Sequence, residues 1–248
     1  MNLGFTKHDS RETVQRHRQI LVSTLLGERE KELWPLVTLR QIHSDLIHVV
    51  SKVPDEMLAG DGLVTSTPGV LLAVETADCL PIILLDPKRR AVGVFHAGWR
   101  GTQKRIVEKG VGEMRKNFGS RPRDLKAAIG PGIRACCYQV GQELREIFEA
   151  QFPYSGELFR EVKESDPIRE KYPLLFLSAR PPGHGPLLET LYLDLPEANR
   201  RQLLTAGLAS KNIYDLGECT SCRRELFFSH RADRGITGRM MAVVGLRG

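Results

Sequence analysis

Val70 to Gly101 reads VLLAVETADCLPIILLDPKRRAVGVFHAGWRG, and the alternation of apolar runs with turn residues in it decides the fold. Three short runs, Val70–Val74, Pro81–Leu85 and Ala91–Phe95, are rich in β-branched and aliphatic residues and are punctuated by turn signals such as Asp86-Pro87. That is the texture of successive strands. The third run leads into His96-Ala97-Gly98-Trp99-Arg100-Gly101, where two glycines let the backbone turn tightly away from a sheet. A polar residue at a strand end, followed by a Gly-rich turn and a helix, is where α/β enzymes commonly place function.

Upstream, Leu36–Leu39 and Ile47–Val53 read as further strands, with turns at Gly60-Asp61-Gly62 and Pro68-Gly69. Before them, Asp9 with Glu12 resembles a capping box, and Val14, Ile20, Leu21 and Leu25 recur near helical spacing until Gly27. Downstream, Ile106, Val107, Gly110, Val111, Met114 and Phe118 line one face of a helix that stops at Gly119. A strand (Leu125–Ile129) and a helix (Val140–Ala150) follow, then an irregular, Pro- and charge-rich stretch from Gln151 to Pro186 expected to hold exposed loops and one short helix. Pro196–Ala206 reads as a helix with proline in its first turn, and Met240–Leu246 as a closing strand buried on both faces. Strands and helices mix without a strict βαβα rhythm, which points to an α/β fold of the mixed α+β kind, or a layered α/β sheet, rather than a barrel. With 248 residues, 41% hydrophobic content, no internal repeat and no linker composition, residues 1–248 are expected to form a single domain.

The longest apolar runs fall far short of the roughly 18 residues a membrane helix needs. The first ten residues lack the basic and apolar regions of a secretory signal. Five cysteines, an odd number, argue against a disulfide framework and for thiols kept for packing or chemistry, so a cytoplasmic location is expected. The net charge of +6 is scattered in pairs such as Arg89-Arg90 and Arg200-Arg201, and only 6% of residues are aromatic. No nucleic-acid-binding stripe is therefore expected, whereas a small anion such as phosphate suits the charge.

Three residues stand out as chemistry: His43 after a strand, Cys79 after another, and His96 at the end of a third. Taken singly, each has an ordinary structural explanation. If the strands lie side by side, two imidazoles and a thiolate make a borderline-soft site suited to Zn²⁺, with a fourth position open for water or substrate. Without metal, the same residues read as a Cys79 thiolate nucleophile with His96 as its base. Cys219-Thr220-Ser221-Cys222 has CxxC spacing, but no second CxxC exists, and the vicinal pair Cys136-Cys137 does not complete it with familiar spacing. Both pairs are expected to be packing thiols. His184 and His230 read as ordinary polar residues, with His230, in Phe228-Ser229-His230-Arg231, the better candidate for a site.

The segments Gln41-Ile42-His43-Ser44, Thr76-Ala77-Asp78-Cys79-Leu80-Pro81, His96 to Gly101, Ile129-Gly130-Pro131 with Cys136-Cys137-Tyr138, and Glu225 to Arg231 together resemble the YfiH family. That family has been labelled multicopper polyphenol oxidoreductase or laccase-domain, and is described as purine nucleoside phosphorylase. The resemblance covers nearly the whole chain in order. It implies a layered α/β/β/α sandwich related to a cysteine-hydrolase-like deamidase, and a zinc ion held by His43, Cys79 and His96. It implies phosphorolysis of adenosine, inosine, guanosine and methylthioadenosine, with phosphate as co-substrate, and deamination of adenosine. Arg100, projecting from the Gly-rich turn, is expected either to help hold phosphate or to form a surface ion pair, and His230 to contact substrate. The family usually carries a segment before Asn-Leu-Gly, which here stands at Asn2-Leu3-Gly4, so any edge strand or contact from it is expected to be missing. Two alternatives remain: a metal-free Cys–His hydrolase or deamidase, and a copper-dependent oxidase, for which seven scattered histidines are poor equipment. A non-catalytic interaction module is a third, in which the three residues would be replaceable. The partners expected are purine nucleosides and phosphate, with no membrane, for a monomer or small homo-oligomer.

Overall fold

A computed structural model of the chain describes residues 1–7, 9–27, 33–174 and 189–248. The elements named below are α1 (Arg11–Leu26), β1 (Leu36–Val37), β2 (Ile47–Val49), β3 (Gly62–Thr65), β4 (Leu71–Thr76), β5 (Leu80–Asp86), β6 (Ala91–Ala97), α2 (Trp99–Gln103), α3 (Ile106–Phe118), β7 (Lys126–Ile129), β8 (Gln139–Val140), α4 (Gln142–Glu149), β9 (Phe159–Lys163), α5 (Pro167–Lys171), β10 (Glu189–Leu193), α6 (Leu195–Thr205), β11 (Ile213–Asp215) and β12 (Met240–Gly245).

Period-two alternation builds the layers. On β6, Val94 faces one way and packs with Leu63, Leu72 and Val74, while Phe95 faces the other way onto Ile106, Val107 and Val111. Strand β6 is therefore buried along its whole length. It sits inside a six-stranded mixed sheet of order β11-β7-β5-β6-β3-β2. A three-stranded sheet of order β1-β4-β12 stacks on one face of it through Val37, Leu72 and Val74. On β4 the alternate residue Leu71 points outward to Val22 and Leu26 of α1. Helices α3 and α6 cover the opposite face of the larger sheet. The result is an α/β/β/α sandwich, a mixed α/β fold, with a small third sheet of order β8-β10-β9 beside it. Gly110 lets α3 sit close to the sheet: a Cβ there would meet the Phe95 ring at 2.5 Å.

Several local expectations need correction. The cap of α1 is Ser10, whose hydroxyl accepts from the Thr13 amide at 3.2 Å, not Asp9. Its buried face is Val14, Val22 and Leu26, while Ile20 and Leu25 are 41% and 47% exposed. Strand β12 is half-buried, not buried on both faces, because it is an edge strand antiparallel to β4. The runs at 36–39 and 47–53 shrink to two and three paired residues. Strand β3, hidden behind Gly60-Asp61-Gly62, and strand β9, whose exposed charged residues disguise it, were not legible as strands. Helix α3 ends as expected, with Gly119 in the left-handed conformation.

Candidate functional site: a His–Cys–His cluster on the central strands

Strand register assembles the site. Antiparallel pairing of β5 with β6 sets Leu80 opposite Ala97, which places Cys79, one residue before β5, beside Gly98. Pairing of β3 with β6 sets Gly62 opposite Phe95, so Asp61 lies beside His96, whose amide donates to the Asp61 carbonyl at 2.8 Å. His96 is thus flanked from both neighbouring strands. His43 comes from the turn before β2 and has a left-handed backbone (φ 55°), a conformation that costs a non-glycine residue about 1–2 kcal/mol. The buried Asp61 carboxylate offsets that strain. It accepts from the amides of Ile42 (3.2 Å), His43 (3.1 Å) and Ser44 (2.5 Å) and from the Ser44 hydroxyl (2.7 Å).

The same carboxylate accepts from His96 Nδ1 at 2.8 Å, which leaves Nε2 to face Cys79. The ligand-capable atoms of His43, Cys79 and His96 all lie within 4.8 Å of one another. Cys79 Sγ stands 3.9 Å from His43 Nε2, and the imidazoles meet edge to face with centroids 4.8 Å apart. A Cβ on Gly98 would lie 2.9 Å from Cys79 Sγ and 3.2 Å from His43 Cδ2, so the absence of a side chain there makes the room.

The electrostatics are those of an ion pair. Burial raises the Asp61 carboxyl, but hydrogen bonds from His96 and Ser44 outweigh it and hold the pKa at about 2. Burial likewise opposes ionisation of Cys79, yet the adjacent His96 cation and a hydrogen bond from His43 bring it down to about 6. His96 is pushed up to about 9: burial works against its charge, while the Cys79 thiolate and Asp61 favour it. A thiolate backed by two imidazoles, one of them buttressed by a carboxylate, fits a divalent metal in donor type and in outer support. The same pair also has the character of an activated cysteine nucleophile.

The cluster opens on two pockets. The larger, about 350 Å³, is lined by Leu39, Gln41, Glu75, Ala77, His230 and Arg239 beside the three cluster residues. The smaller, about 160 Å³, is lined by Trp99, Ile133, Tyr138, Leu195, His230 and Arg231 beside Cys79. Exposed His230 borders both. Arg100 lines neither: it is exposed, with its guanidinium 4.3 Å from the Trp99 ring centre. Trp99 and Arg100 ride on α2, which is fixed to α6 by Asn199 and Gln202 bonding the hydroxyl and carbonyl of Thr102 at 2.9 and 2.7 Å. Glu75 is raised by burial, against the pull of Arg18, 2.5 Å away.

Sequence reading missed Asp61, which looked like a turn residue; an acid held directly between two glycines was the one available signal. It also missed Asp78, whose carboxylate accepts from Thr220 Oγ1 and from the Arg231 amide, each at 2.6 Å. His184 lies outside the described residues. The two cysteine pairs, read as packing thiols, instead meet: Cys136, Cys137, Cys219 and Cys222 bring their sulfurs within 4.8 Å of one another. A parallel bridge between Gly132 and Cys219 does this, and linear spacing could not show it.

Comparison with known proteins gives these residues a setting. The chain is 36% identical to the purine nucleoside phosphorylase YlmD of Geobacillus stearothermophilus over 256 residues, covering all of this chain and 84% of that one. It is 33% identical over 217 residues to the adenosine deaminase RL5 of an unknown prokaryotic organism, covering 84% of this chain and 74% of that one. The crystal structure of the Bacillus licheniformis hypothetical protein YfiH superposes with a TM-score of 0.82 at 33% identity, over 99% of this chain and 85% of that one. A family model for multi-copper polyphenol oxidoreductase laccase matches residues 1–247, and the chain belongs to that family, which includes the YfiH and YlmD proteins.

Proposed function

We propose that the chain, acting as one domain, is a zinc-dependent purine nucleoside phosphorylase that also takes methylthioadenosine and deaminates adenosine, working in a reducing cytoplasm. The observation that carries this reading is the convergence of His43, Cys79 and His96 at the mouth of a cleft, in a chain whose relatives bear phosphorylase and deaminase names. Among the described residues no helix is long and apolar enough to cross a membrane.

His43 Nε2, Cys79 Sγ and His96 Nε2 would hold the ion. Bound there, zinc supplies Lewis acidity and the means to ionise water near pH 7. Its thiolate and imidazole ligands favour zinc over the copper alternative in a chain with so few histidines. Asp61 keeps the His96 proton on Nδ1 and so turns the other nitrogen to the cleft. In phosphorolysis the bond from ribose C1′ to the purine nitrogen breaks while C1′ bonds a phosphate oxygen; in deamination water displaces ammonia at purine C6. The nucleoside lies in the larger pocket, with Glu75, whose pKa burial raises, facing the base and His230 facing the sugar. Arg231, lining the smaller pocket, and exposed Arg100 draw phosphate toward it by charge-assisted hydrogen bonds.

Incubating zinc-loaded protein with adenosine, with and without phosphate, tests the reading. Free adenine appearing only with phosphate supports phosphorolysis, and inosine without phosphate supports deamination. No turnover of any purine nucleoside contradicts both. The depressed Cys79 pKa favours one second reading, a metal-free cysteine hydrolase. Loss of activity on thiol alkylation, with full activity in zinc-free protein, would select it.

A further inference from the structure

The three-residue cluster accounts for one cysteine, and the other four gather at a separate place in the fold. Cys136 and Cys137 lie in the loop between β7 and β8, while Cys219 and Cys222 follow β11. Cys136 Sγ and Cys137 Sγ stand 3.5 and 3.3 Å from Cys222 Sγ, and all four sulfurs fall within 4.8 Å of each other. These separations exceed the S–S bond of roughly 2.05 Å in a disulfide. They bracket the edge of roughly 3.8 Å expected for four sulfurs arranged tetrahedrally at about 2.3 Å from a zinc ion.

The surroundings of Cys219 favour a thiolate. Cys219 is 6% exposed, and the backbone amides of Arg134, Ser221 and Cys222 direct hydrogen bonds to its sulfur. Amide donors of this kind stabilise thiolate ligands much as outer-shell groups support other metal sites. The spacing Cys-x-x-Cys supplies one knuckle, and the vicinal pair supplies the other from a strand neighbour, joined through the Gly132–Cys219 bridge. Four protein donors close the coordination sphere, which is the mark of a structural rather than a catalytic ion.

We infer that Cys136, Cys137, Cys219 and Cys222 form a second metal site, a closed tetrathiolate holding one structural zinc ion. It clamps the loop after β7 to the segment after β11. The clamp bears on the catalytic cluster through one residue. Thr220, between two of the ligands, bonds Asp78, and Asp78 has a left-handed backbone (φ 89°) immediately before Cys79. The amide of Arg231, next to His230, bonds the same carboxylate. Tyr138, which lines the smaller pocket, directly follows the vicinal ligand pair. The ion would thus hold in place two walls of that pocket and the backbone that presents Cys79.

Elemental analysis of reduced, zinc-dialysed protein should find two zinc ions per chain. Cys79→Ala should retain one, and X-ray absorption at the zinc edge of that variant should show a shell of sulfur alone. The double substitution Cys136→Ser with Cys222→Ser, at the two exposed ligands, should bring the count from two to one. Absorption on the unaltered protein covers the case in which that double variant fails to fold, since two sites of these types average to more sulfur than nitrogen around zinc. Metal-free Cys79→Ala, an unchanged zinc count after loss of Cys136 and Cys222, iron in place of zinc, or a disulfide among the four in native protein would each overturn the inference. Failure of the His43–Cys79–His96 reading leaves a different signature, a single all-sulfur zinc in the unaltered protein.

Discussion

Asp61 does more at this site than any residue the motifs pointed to. Buried between glycines, it fixes the turn that carries His43 and orients His96 at once. Replacing it with Asn keeps the shape but removes the charge that His96 and the turn amides face. Zinc affinity should fall by about 10–100-fold, and stability by about 2–4 kcal/mol; competition with a chromogenic chelator and urea unfolding measure the two. Because its pKa, about 2, lies below the ordinary 3.8, the ionised carboxylate adds about 2 kcal/mol of stability that is fully present above pH 4. That contribution is lost as pH falls through 2, and the acid limb of an unfolding-versus-pH curve should shrink in Asp61→Asn. The metal-free ion pair has its own consequence. Cys79 is already a thiolate above about pH 6, whereas His96 stays protonated up to about 9. Under the zinc reading proposed above the ion displaces that proton, so binding at pH 7 should release about one proton and affinity should rise with pH until about 9. Calorimetry in buffers of different ionisation enthalpy reads the number directly; no proton release would mean His96 is neutral or not a ligand.

Among the elements, two glycines, Gly98 just after β6 and Gly110 on α3 packed against it, separate chemistry from packing. Gly98 has an extended backbone that alanine accepts, so the harm from Gly98→Ala comes from its Cβ pressing on Cys79 and His43. Nucleoside turnover and zinc affinity should drop while the unfolding free energy changes by less than about 1 kcal/mol. Gly110→Ala should do the opposite. Its Cβ would collide with the Phe95 ring in the core, a cost of about 1–3 kcal/mol partly offset by better helix propensity, with zinc content unchanged. The strands carrying this contrast were readable because β5 and β6 are long apolar runs with clear turns. Strand β9 was not, since on an exposed strand charge follows solvent rather than the sheet. The cap of α1 was misread by one residue because Asp9 and Ser10 are both good caps, and only the bond to Thr13 chooses between them.

At the scale of the molecule, the α/β/β/α layering follows from alternation on β4 and β6, and that much is present in the residues themselves. The three ligand candidates were visible as polar residues at strand ends. Their meeting depends on the register of β5 and β3 against β6, which composition does not encode. The gathering of four cysteines depends still more on tertiary structure, being fixed by one β-bridge between segments far apart in sequence. The decisive measurement is nucleoside turnover in protein stripped of metal and then titrated with zinc, beside His43→Ala, Cys79→Ala and His96→Ala. Activity should return in proportion to zinc in the unaltered protein and fall by at least about 100-fold in each variant. Full turnover without zinc, or in any of the three variants, would contradict a metal-dependent site built on these side chains.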